Sequence, residues 1–351
     1  MEFCQPLTHH HSITPTLRHS RPSPMPPATL ARHAMATRFE LVLHGGDEAA
    51  LRAAGEEALD EIARLEDELS YFRATSQIFR LNQAAAQRPV RVSPWLFRLL
   101  QHARQLSEES AGTFDPTVAP LMRCWGFYTR EGRVPEPAAL AAARACVGMN
   151  LVELNEADST VRFARPGVQL DLGSIGKGYA VERAGELLRE AGVTSALLHG
   201  GTSTILALGT PPDAPGWKIA LDHPEPPAPR HPQQPPPPPH APRTTHYVSL
   251  RDESLSVSAV WGKSFTAADR SYGHVIDPRT GAPTQGALLA AVVLPSATES
   301  DALSTMLLTR GAEGLAALQA RRPGLRALVA APGPDPELLH VEAAGFDVRT
   351  G

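Results

Sequence analysis

The sequence predicts an α+β fold in which mainly antiparallel sheets pack against helices. Short stretches of alternating apolar residues follow one another through the second half of the chain and are joined by short turns. Neighbouring strands with short connections favour antiparallel pairing over a doubly wound parallel sheet. Helical patterns occur before, between and after these strands. A composition of 42% hydrophobic and 20% charged residues is typical of a globular protein.

The composition also excludes several classes of partner and site. A net charge of −4 gives no electrostatic basis for binding nucleic acid or an acidic membrane surface. The three cysteines are widely spaced and form neither a disulfide framework nor a zinc-binding pattern. No stretch reaches the roughly 18 apolar residues that indicate a membrane-spanning helix. We therefore expect no nucleic-acid partner and no transmembrane segment.

Proline-rich stretches define the boundaries of the predicted domain. Residues 1–33 lack apolar periodicity and are predicted to be a disordered N-terminal tail, or to precede a true start at Met25 or Met35. The tail has no signal-peptide core and no lipobox, so the chain as written is expected in the cytoplasm. Residues 34–345 are predicted to form one domain. Within it, residues 224–243 are a proline-rich insertion, interpreted as a tolerated surface excursion or as a ligand for an SH3-type partner.

Periodicity and capping residues define the elements of the first half. Apolar residues at spacings of three and four predict amphipathic helices, and Ser93 followed by Pro94 is a favourable helix start. The predicted elements are a strand at 38–44, helices at 47–68, 76–82, 93–112 and 136–145, a loop at 113–127, and strands at 151–154 and 160–163.

In the second half of the chain, apolar residues alternate as in strands more often than they recur at helical spacing. An apolar face after Tyr179 predicts a helix that ends at Gly192, a typical C-terminal stop. A second helix is predicted to begin at Ser300. The predicted strands between them are at 193–198, 204–208, 217–221, 246–250 and 255–258.

A glycine-rich stretch precedes the helix that ends at Gly192. Between Leu170 and Tyr179 it contains Asp171, three glycines and Lys177. A helix N-terminus beside a lysine suits a phosphate group, yet the spacing matches neither the Walker A loop nor the dinucleotide fingerprint. Asp171 has the wrong charge for phosphate and suits a base edge, a ribose hydroxyl or a metal. A tight turn with Lys177 in solvent remains an open alternative.

A loop at residues 113–117 combines a carboxylate with residues that disfavour a helix. Asp115 precedes Pro116, which favours an extended backbone and holds the Asp115 side chain clear of the main chain. This arrangement suits a ligand-binding loop. It equally suits an Asx turn, in which the carboxylate accepts a hydrogen bond from its own backbone.

Residues 274–281 place a histidine three residues before an aspartate, at the start of a proline turn. His274 can accept a proton near neutral pH, which is the chemistry of a general base. Asp277 can orient the imidazole or close the turn, and the pattern leaves both interpretations open.

Asp301 and Thr305 are one helical turn apart and share a face. Their carboxylate and hydroxyl oxygens suit Mg²⁺, which binds hard oxygen ligands and keeps its other positions for water and phosphate. The alternative is that Asp301 caps the helix N-terminus and Thr305 bonds back to the preceding turn.

Taken in chain order, these motifs resemble the FAD:protein FMN transferase family, also called the ApbE family. The resemblance extends from Met35 to Arg310. Two departures are Ala36 in place of glycine and Thr202 in place of the usual Asp or Asn. The stretches that carry the resemblance are Met35-Ala36-Thr37, Leu69-Ser70-Tyr71 with residues 76–82, Phe114-Asp115-Pro116-Thr117 with Trp125-Gly126-Phe127, and residues 171–180, 274–281 and 300–305.

The resemblance implies an ApbE-like fold and an Mg²⁺-dependent enzyme. The family moves FMN from FAD to a Thr or Ser hydroxyl of an acceptor protein and releases AMP. By that resemblance His274 is the general base and also contacts FAD. The other implied FAD contacts are Met35, Tyr71, Thr113, Phe114, Asp115, Asp171 and Lys177. The implied Mg²⁺ ligands are Asp301, Thr305 and the backbone carbonyl of Ser174. The alternatives are an FAD pyrophosphatase that uses water, and a flavin-binding protein without catalysis.

Overall fold

An eight-stranded antiparallel sheet forms the centre of the fold. The computed structural model describes residues 26–129, 131–222, 244–260, 263–268, 270–333 and 339–350. In spatial order, the strands of the central sheet are β1 (Ala28–Ala34), β2 (Thr37–Leu43), β6 (Ala196–Gly200), β7 (Thr204–Leu208), β10 (Glu253–Ala259), β13 (Leu289–Leu294), β14 (Arg326–Pro332) and β15 (Leu339–Ala344).

Three smaller sheets surround the central one. Every strand pair in the described part of the chain is antiparallel, which confirms the predicted α+β class. The smaller sheets are β3 (Val90–Arg91) with β5 (Thr160–Phe163) and β4 (Val152–Asn155), β11 (Ser264–Ala267) with β12 (Arg270–Gly273), and β16 (Asp347–Thr350) with β9 (Thr244–Leu250) and β8 (Trp217–Asp222).

Two helices begin where their capping residues indicate, whereas the helix predicted to begin at Ser300 begins three residues earlier, at Ala297. Asp47 accepts a hydrogen bond from Ala50 N at 2.9 Å, and Ser76 accepts one from Phe79 N at 2.9 Å. A six-residue helix, α4, lies where the sequence predicted only a loop. The helices are α1 (Glu48–Leu69), α2 (Gln77–Ala84), α3 (Pro94–Glu109), α4 (Ala119–Cys124), α5 (Pro137–Arg144), α6 (Gly176–Glu190) and α7 (Ala297–Arg321), with a 3₁₀ turn at Met149–Leu151.

The central sheet is covered on both faces. Helices α1, α6 and α7 pack on one face, and the sheet of β8, β9 and β16 packs on the other. Along β13, Ala290 and Val292 face the helices, while Leu289, Ala291 and Val293 face the smaller sheet. Burial on both faces explains why this strand is apolar without alternation.

The observed boundaries of the domain differ from the predicted ones at both ends. β1 pairs with β2 along its whole length, so residues 28–33 form a strand although the sequence predicted a tail there. The buried side chains of Ala28 and Leu30 account for this difference. β16 pairs with β9 beyond the predicted end at residue 345. Residues 1–25 and the whole of the predicted insertion at 224–243 lie outside the described residues.

In the described ranges, none of the helices combines the length and the apolar character needed to cross a membrane.

Arg322, at the C-terminal end of α7, joins this helix to α3 through two carboxylates. Its guanidinium donates to Glu109 at 2.7 and 2.8 Å and to Glu299 Oε2 at 2.6 Å. His102 Nε2 lies 3.2 Å from Glu299 Oε1. The hydrogen bond with His102 and the Arg322 guanidinium lower the pKa of Glu299 to about 2. The network therefore holds both ends of α7 against α3.

We expect Glu299→Gln to lower the free energy of unfolding at neutral pH by about 1–2 kcal/mol, because a half-buried paired charge is lost. The pKa of Glu299 is below its ordinary value of 4.5 in the folded chain, so its contribution is complete above 4.5 and is lost as the pH falls toward about 2. Urea denaturation of both proteins at several pH values measures this difference.

The matched control for this substitution is Glu313→Gln on the same helix. Glu313 is 83% exposed and pairs with Arg310, so its loss should change the free energy of unfolding little. A difference between wild type and Glu299→Gln that stays constant on acidification would contradict the assignment.

Candidate active site

The N-terminus of α6 lies against α7, and one carboxylate joins the two helices. Gly178 N donates to Asp301 Oδ2 at 2.9 Å, across 123 residues of sequence. A methyl group on Gly178 would lie 2.2 Å from the Ala297 carbonyl oxygen and 2.6 Å from Asp301 Cβ. The close approach therefore requires glycine at this position of the glycine-rich stretch.

The same hydrogen bond leaves the Ser174 carbonyl without its usual helical partner. In an α-helix the Gly178 N–H would donate to the carbonyl four residues earlier, which belongs to Ser174. Here that N–H donates to Asp301, and among the described residues no backbone hydrogen bond reaches the Ser174 oxygen. The neighbouring helical bonds are made, from Gly176 N to Leu172 O at 2.7 Å and from Tyr179 N to Ile175 O at 3.0 Å. The Ser174 carbonyl is thus available to a ligand.

Asp301 is buried, yet one of its oxygens has no close donor among the described residues. Asp301 Oδ1 lies 4.0 Å from Lys177 Nζ, which is longer than a hydrogen bond. Thr305 Oγ1 donates to the Asp301 carbonyl at 3.3 Å, as the sequence alternative proposed. Ser296, not Asp301, caps α7, because its hydroxyl accepts from Glu299 N. The capping interpretation of Asp301 for its own helix is therefore wrong.

Asp301, Thr305 and Ser174 offer a donor set that fits Mg²⁺. They supply a carboxylate oxygen, a hydroxyl oxygen and a carbonyl oxygen, all hard ligands, and leave positions for water and phosphate. The part of the chain that the structure describes contains no group of three or more His, Cys, Asp or Glu side chains arranged to hold a metal. Such a site would combine the Asp301 carboxylate with two neutral oxygen donors.

His274 lies at the base of the β11–β12 hairpin. Its backbone N–H donates to the Lys263 carbonyl at 3.0 Å, which places these two residues opposite each other. Burial lowers the pKa of His274, and the positive charges of Lys263 and Lys177 lower it further. Its Nδ1 is buried and has no hydrogen-bond partner among the described residues. His274 is therefore a neutral imidazole at neutral pH with one unsatisfied nitrogen.

Asp277 closes the turn that follows His274. Its carboxylate accepts hydrogen bonds from Arg279 N at 2.9 Å and from the Arg279 guanidinium at 2.8 and 3.0 Å. Trp125 Nε1 donates to the Gly281 carbonyl at 2.7 Å and anchors the same turn. Of the two interpretations from the sequence, the structure supports the turn.

Asp171 fixes the start of the glycine-rich loop. Its Oδ1 accepts from Gly173 N at 2.8 Å, and its Oδ2 accepts from the Tyr128 hydroxyl. Asp171 N donates to the Pro116 carbonyl at 2.7 Å, which joins this loop to the 113–117 loop. Burial, and next the negative charge of Asp171, raise the pKa of Tyr128, so its hydroxyl stays protonated as a donor.

Tyr71 belongs to an aromatic cluster beside Asp171. Its ring stacks on Tyr128 with centroids 4.5 Å apart, and its hydroxyl donates to Gln169 Oε1 at 2.9 Å. The Arg123 guanidinium donates to the Tyr71 hydroxyl and to Gln169 Oε1. Phe72 lies edge-on to the two tyrosine rings and is 63% exposed. This cluster presents an aromatic ring to solvent next to a carboxylate.

The side chains of Thr113, Phe114 and Asp115 turn into the protein. Thr113 Oγ1 donates to the Ser110 carbonyl at 2.8 Å, and Phe114 is buried in the main core. Asp115 accepts from Thr117 N at 2.8 Å and from Met149 N at 3.1 Å, while burial raises its pKa. The first of these bonds is the Asx turn that the sequence left as an alternative.

Met35 occupies a strained turn at the end of the central sheet. Met35 and Ala36 form the two-residue connection between β1 and β2, with φ angles of 48° and 58°. Hairpins of this length favour glycine or asparagine, because both central residues have positive φ. Gly201 lies beside this turn, and its N–H donates to the Arg38 carbonyl at 3.0 Å.

The structure brings together some predicted residues and not others. Lys177, Asp301 and Thr305 share the α6–α7 junction with Ser174. His274 has no direct contact with them among the described residues, although the charge of Lys177 contributes to its lowered pKa. Sequence reasoning missed several residues that contact the predicted ones. They are Lys263 at His274, Ser258 at Thr305, Tyr128 at Asp171, and Gln169 and Arg123 at Tyr71.

The signal for Tyr128 was present in the aromatic run that begins at Trp125. Lys263 lies opposite His274 because β11 pairs with β12, and Ser258 meets Thr305 because β10 packs against α7. Local sequence patterns report neither contact.

A comparison with protein families matches residues 35–329 to the ApbE family. Among curated proteins, the chain is 30% identical over 262 residues to the FAD:protein FMN transferase of Klebsiella pneumoniae (strain 342), covering 74% of this chain and 77% of that protein. It is 30% identical over 294 residues to the FAD:protein FMN transferase of Treponema pallidum (strain Nichols), covering 80% of this chain and 77% of the relative.

Solved structures agree in fold. The apo form of the Pseudomonas stutzeri flavinyl transferase ApbE superposes with a TM-score of 0.77 at 25% identity, over 93% of this chain and 96% of the other. The flavin transferase ApbE from Vibrio cholerae gives 0.74 at 23% identity, over 91% and 98%. The family match and the sequence relatives together lead to one conclusion: the chain belongs to the ApbE family.

Proposed function

We propose that this chain is an Mg²⁺-dependent transferase that moves FMN from FAD to a Thr or Ser hydroxyl of an acceptor protein. The transfer forms a phosphoester bond and releases AMP. The observation that carries the proposal is the α6–α7 junction, where Lys177 Nζ lies 4.0 Å from Asp301 Oδ1. His274, whose pKa is lowered by burial and by the charges of Lys263 and Lys177, would supply the base. Cleavage of a pyrophosphate by a hydroxyl requires neutralisation of phosphate charge and a base for the hydroxyl proton. A cation, a metal-binding carboxylate and a neutral imidazole supply these functions.

Mg²⁺ at this site would be held by the Asp301 carboxylate, the Thr305 hydroxyl and the Ser174 carbonyl. When bound, it would neutralise charge on the FAD pyrophosphate. Lys177 Nζ, 4.0 Å from Asp301 Oδ1, is placed to bind a phosphate oxygen from the adjacent side. Asp301 would therefore bind the cation, and Lys177 would bind the anionic phosphate.

His274 would take the proton of the acceptor hydroxyl. That oxygen forms a bond to the phosphorus on the FMN side, the bond from this phosphorus to the bridging oxygen breaks, and AMP departs with that oxygen. That proton would go to the imidazole ring of His274. A lowered pKa keeps the ring neutral, and so able to accept a proton, before the reaction.

The remaining predicted FAD contacts would act in different ways. Asp171 and Tyr71 sit in the aromatic cluster, where the exposed Phe72 ring is available to pack on a planar ligand. The side chains of residues 113–115 are engaged inward, so contacts from that loop would come from its backbone groups. The contribution of Met35 would come from its half-buried side chain at the strained turn.

Incubation with FAD, Mg²⁺ and a candidate acceptor should give a flavin-fluorescent acceptor band on a denaturing gel, together with AMP. We expect His274→Ala to slow transfer by about 10²–10⁴-fold, because a general base contributes on this scale. His340→Ala is the matched control, since this histidine is exposed and pairs with Glu342 at 3.1 Å.

Three outcomes would contradict the proposed transfer. No labelled acceptor and no AMP, with FAD still bound, would indicate a binding protein. AMP release at the same rate with and without acceptor would indicate a pyrophosphatase. Unchanged transfer by His274→Ala would remove this residue from the mechanism.

Substitution of Lys263 tests the electrostatic environment of His274. The positive charge of Lys263 lowers the pKa of His274, so Lys263→Met should raise that pKa toward its ordinary value of 6.5. Since the base must be neutral, the acidic limb of the pH profile of kcat/KM should move to higher pH. Lys218→Met is the control, because the Lys218 ammonium lies 4.2 Å from the Tyr247 ring centroid on β9. An acidic limb that does not move would refute the assignment.

Substitutions of Gly176 and Gly178, in the first turn of α6, test the α6–α7 junction. Gly178→Ala should lower the free energy of unfolding by roughly 1–3 kcal/mol and reduce transfer, since the added methyl overlaps the Ala297 carbonyl. Gly176→Ala should be neutral or slightly stabilising, because its nearest non-neighbouring atom would be 3.7 Å away and alanine favours a helix. Chemical denaturation and the transfer assay measure both effects. Equal behaviour of the two variants would show that the close approach is not required.

A further inference from the structure

A row of serines on β10 faces α7. Ser254, Ser256 and Ser258 alternate along the strand, while Leu255 packs into the core on the other face of the sheet. Opposite them, Ser300 and Ser304 are one helical turn apart on α7. The side chains form a hydroxyl seam, defined by these five serines, between the sheet and the helix that carries Asp301.

Within the seam, the serines of β10 have different partners. Ser254 Oγ and Ser256 Oγ lie 3.2 and 3.0 Å from Ser300 Oγ. Ser258 Oγ lies 2.8 Å from Ser304 Oγ and 3.3 Å from Thr305 Oγ1. Among the described β10 serines, Ser258 is therefore the one that touches a candidate metal ligand.

The hydrogen bonds around Ser258 restrict where the Thr305 proton can point. Ser304 Oγ and Thr305 Oγ1 lie 3.0 and 3.3 Å from the Asp301 carbonyl oxygen, which can only accept. Whichever way the bond between Ser258 and Ser304 runs, the Thr305 proton goes to Asp301 O or to Ser258 Oγ. At least one lone pair of Thr305 Oγ1 then remains free of donors.

A threonine in a helix divides between two side-chain rotamers, because its hydroxyl can bond back to the preceding turn. Contact with Ser258 favours the rotamer whose oxygen lies between the β10 strand and the Asp301 turn. In that rotamer the Thr305 oxygen is already in one position. Cation binding then does not cost the side-chain entropy of restricting Thr305 to one rotamer.

We propose that Ser258 is a positioning residue that orients the Thr305 hydroxyl toward the Mg²⁺ of the proposed function. This inference rests on that function, because it assumes that Thr305 is a ligand. Partners that orient metal ligands typically contribute about 10–100-fold to metal affinity. Ser258 makes no direct contact with the cation in this proposal and acts through Thr305.

The test is a titration of Mn²⁺, an oxygen-binding substitute for Mg²⁺, into the full chain with equimolar FAD, with free Mn²⁺ followed by electron paramagnetic resonance. FAD without protein is the blank. We expect Ser258→Ala to raise the dissociation constant for Mn²⁺ by about 10-fold or more. Ser258→Thr keeps a hydroxyl at this position and should restore the affinity to within about 2–3-fold of wild type.

Ser256→Ala is the matched control. Ser256 is fully buried two residues earlier on the same face, so its removal costs packing at least as much, but it contacts Ser300 and not Thr305. Its Mn²⁺ affinity should stay within about 2-fold of wild type. Urea denaturation of each variant establishes that it is folded during the titration.

Two results would overturn the inference while leaving the proposed function intact. In the first, Ser258→Ala binds Mn²⁺ as tightly as the wild type does. In the second, Ser256→Ala weakens binding as much as Ser258→Ala, which would show a general effect of the seam. Absence of Mn²⁺ binding above the FAD blank in the wild type would instead overturn the metal assignment, and this inference with it.

Discussion

The hydrogen bond from Gly178 N to the Asp301 carboxylate is the interaction on which the candidate site depends. It ties the start of α6 to the first turns of α7, and both helices are packed on the central sheet. It also diverts an N–H from the Ser174 carbonyl, so one bond both places a carboxylate and frees a carbonyl. Because Gly178 has no side chain, the two backbones approach closely enough for this to occur.

This arrangement also separates the charges that the chemistry needs. A buried carboxylate requires compensation, and here the N-terminal dipole of α6 supplies it through a backbone N–H. Lys177 consequently does not form a short ion pair with Asp301, and its ammonium group is available to another partner. Lys177 also contributes, after burial and Lys263, to the lowered pKa that favours the neutral imidazole of His274.

Local signals predicted much of the fold, and long-range contacts account for what they missed. Asp47 and Ser76 were readable as helix starts because a cap is satisfied within a few residues. The hairpin of β11 and β12 and the buried strand β13 were not predicted. The apolar residues of β13 do not alternate in the way that marks a half-exposed strand, because other elements cover both of its faces in the folded chain. The apolar residues of the hairpin pack on a cluster that other elements form. At the site, Asp301 and His274 were identified from motifs. Tyr128, Lys263 and Ser258 required the tertiary pairing.

The pairing of β8 with β9 bears on how this chain can vary in length. The ladder continues to Asp222 opposite Thr245, so the two ends of the intervening segment emerge on adjacent strands about 5 Å apart. Doubling the length of a flexible loop costs only about 0.6 kcal/mol in closure entropy. A segment of different length, or a fused domain, could therefore be inserted between β8 and β9 without moving the α6–α7 junction.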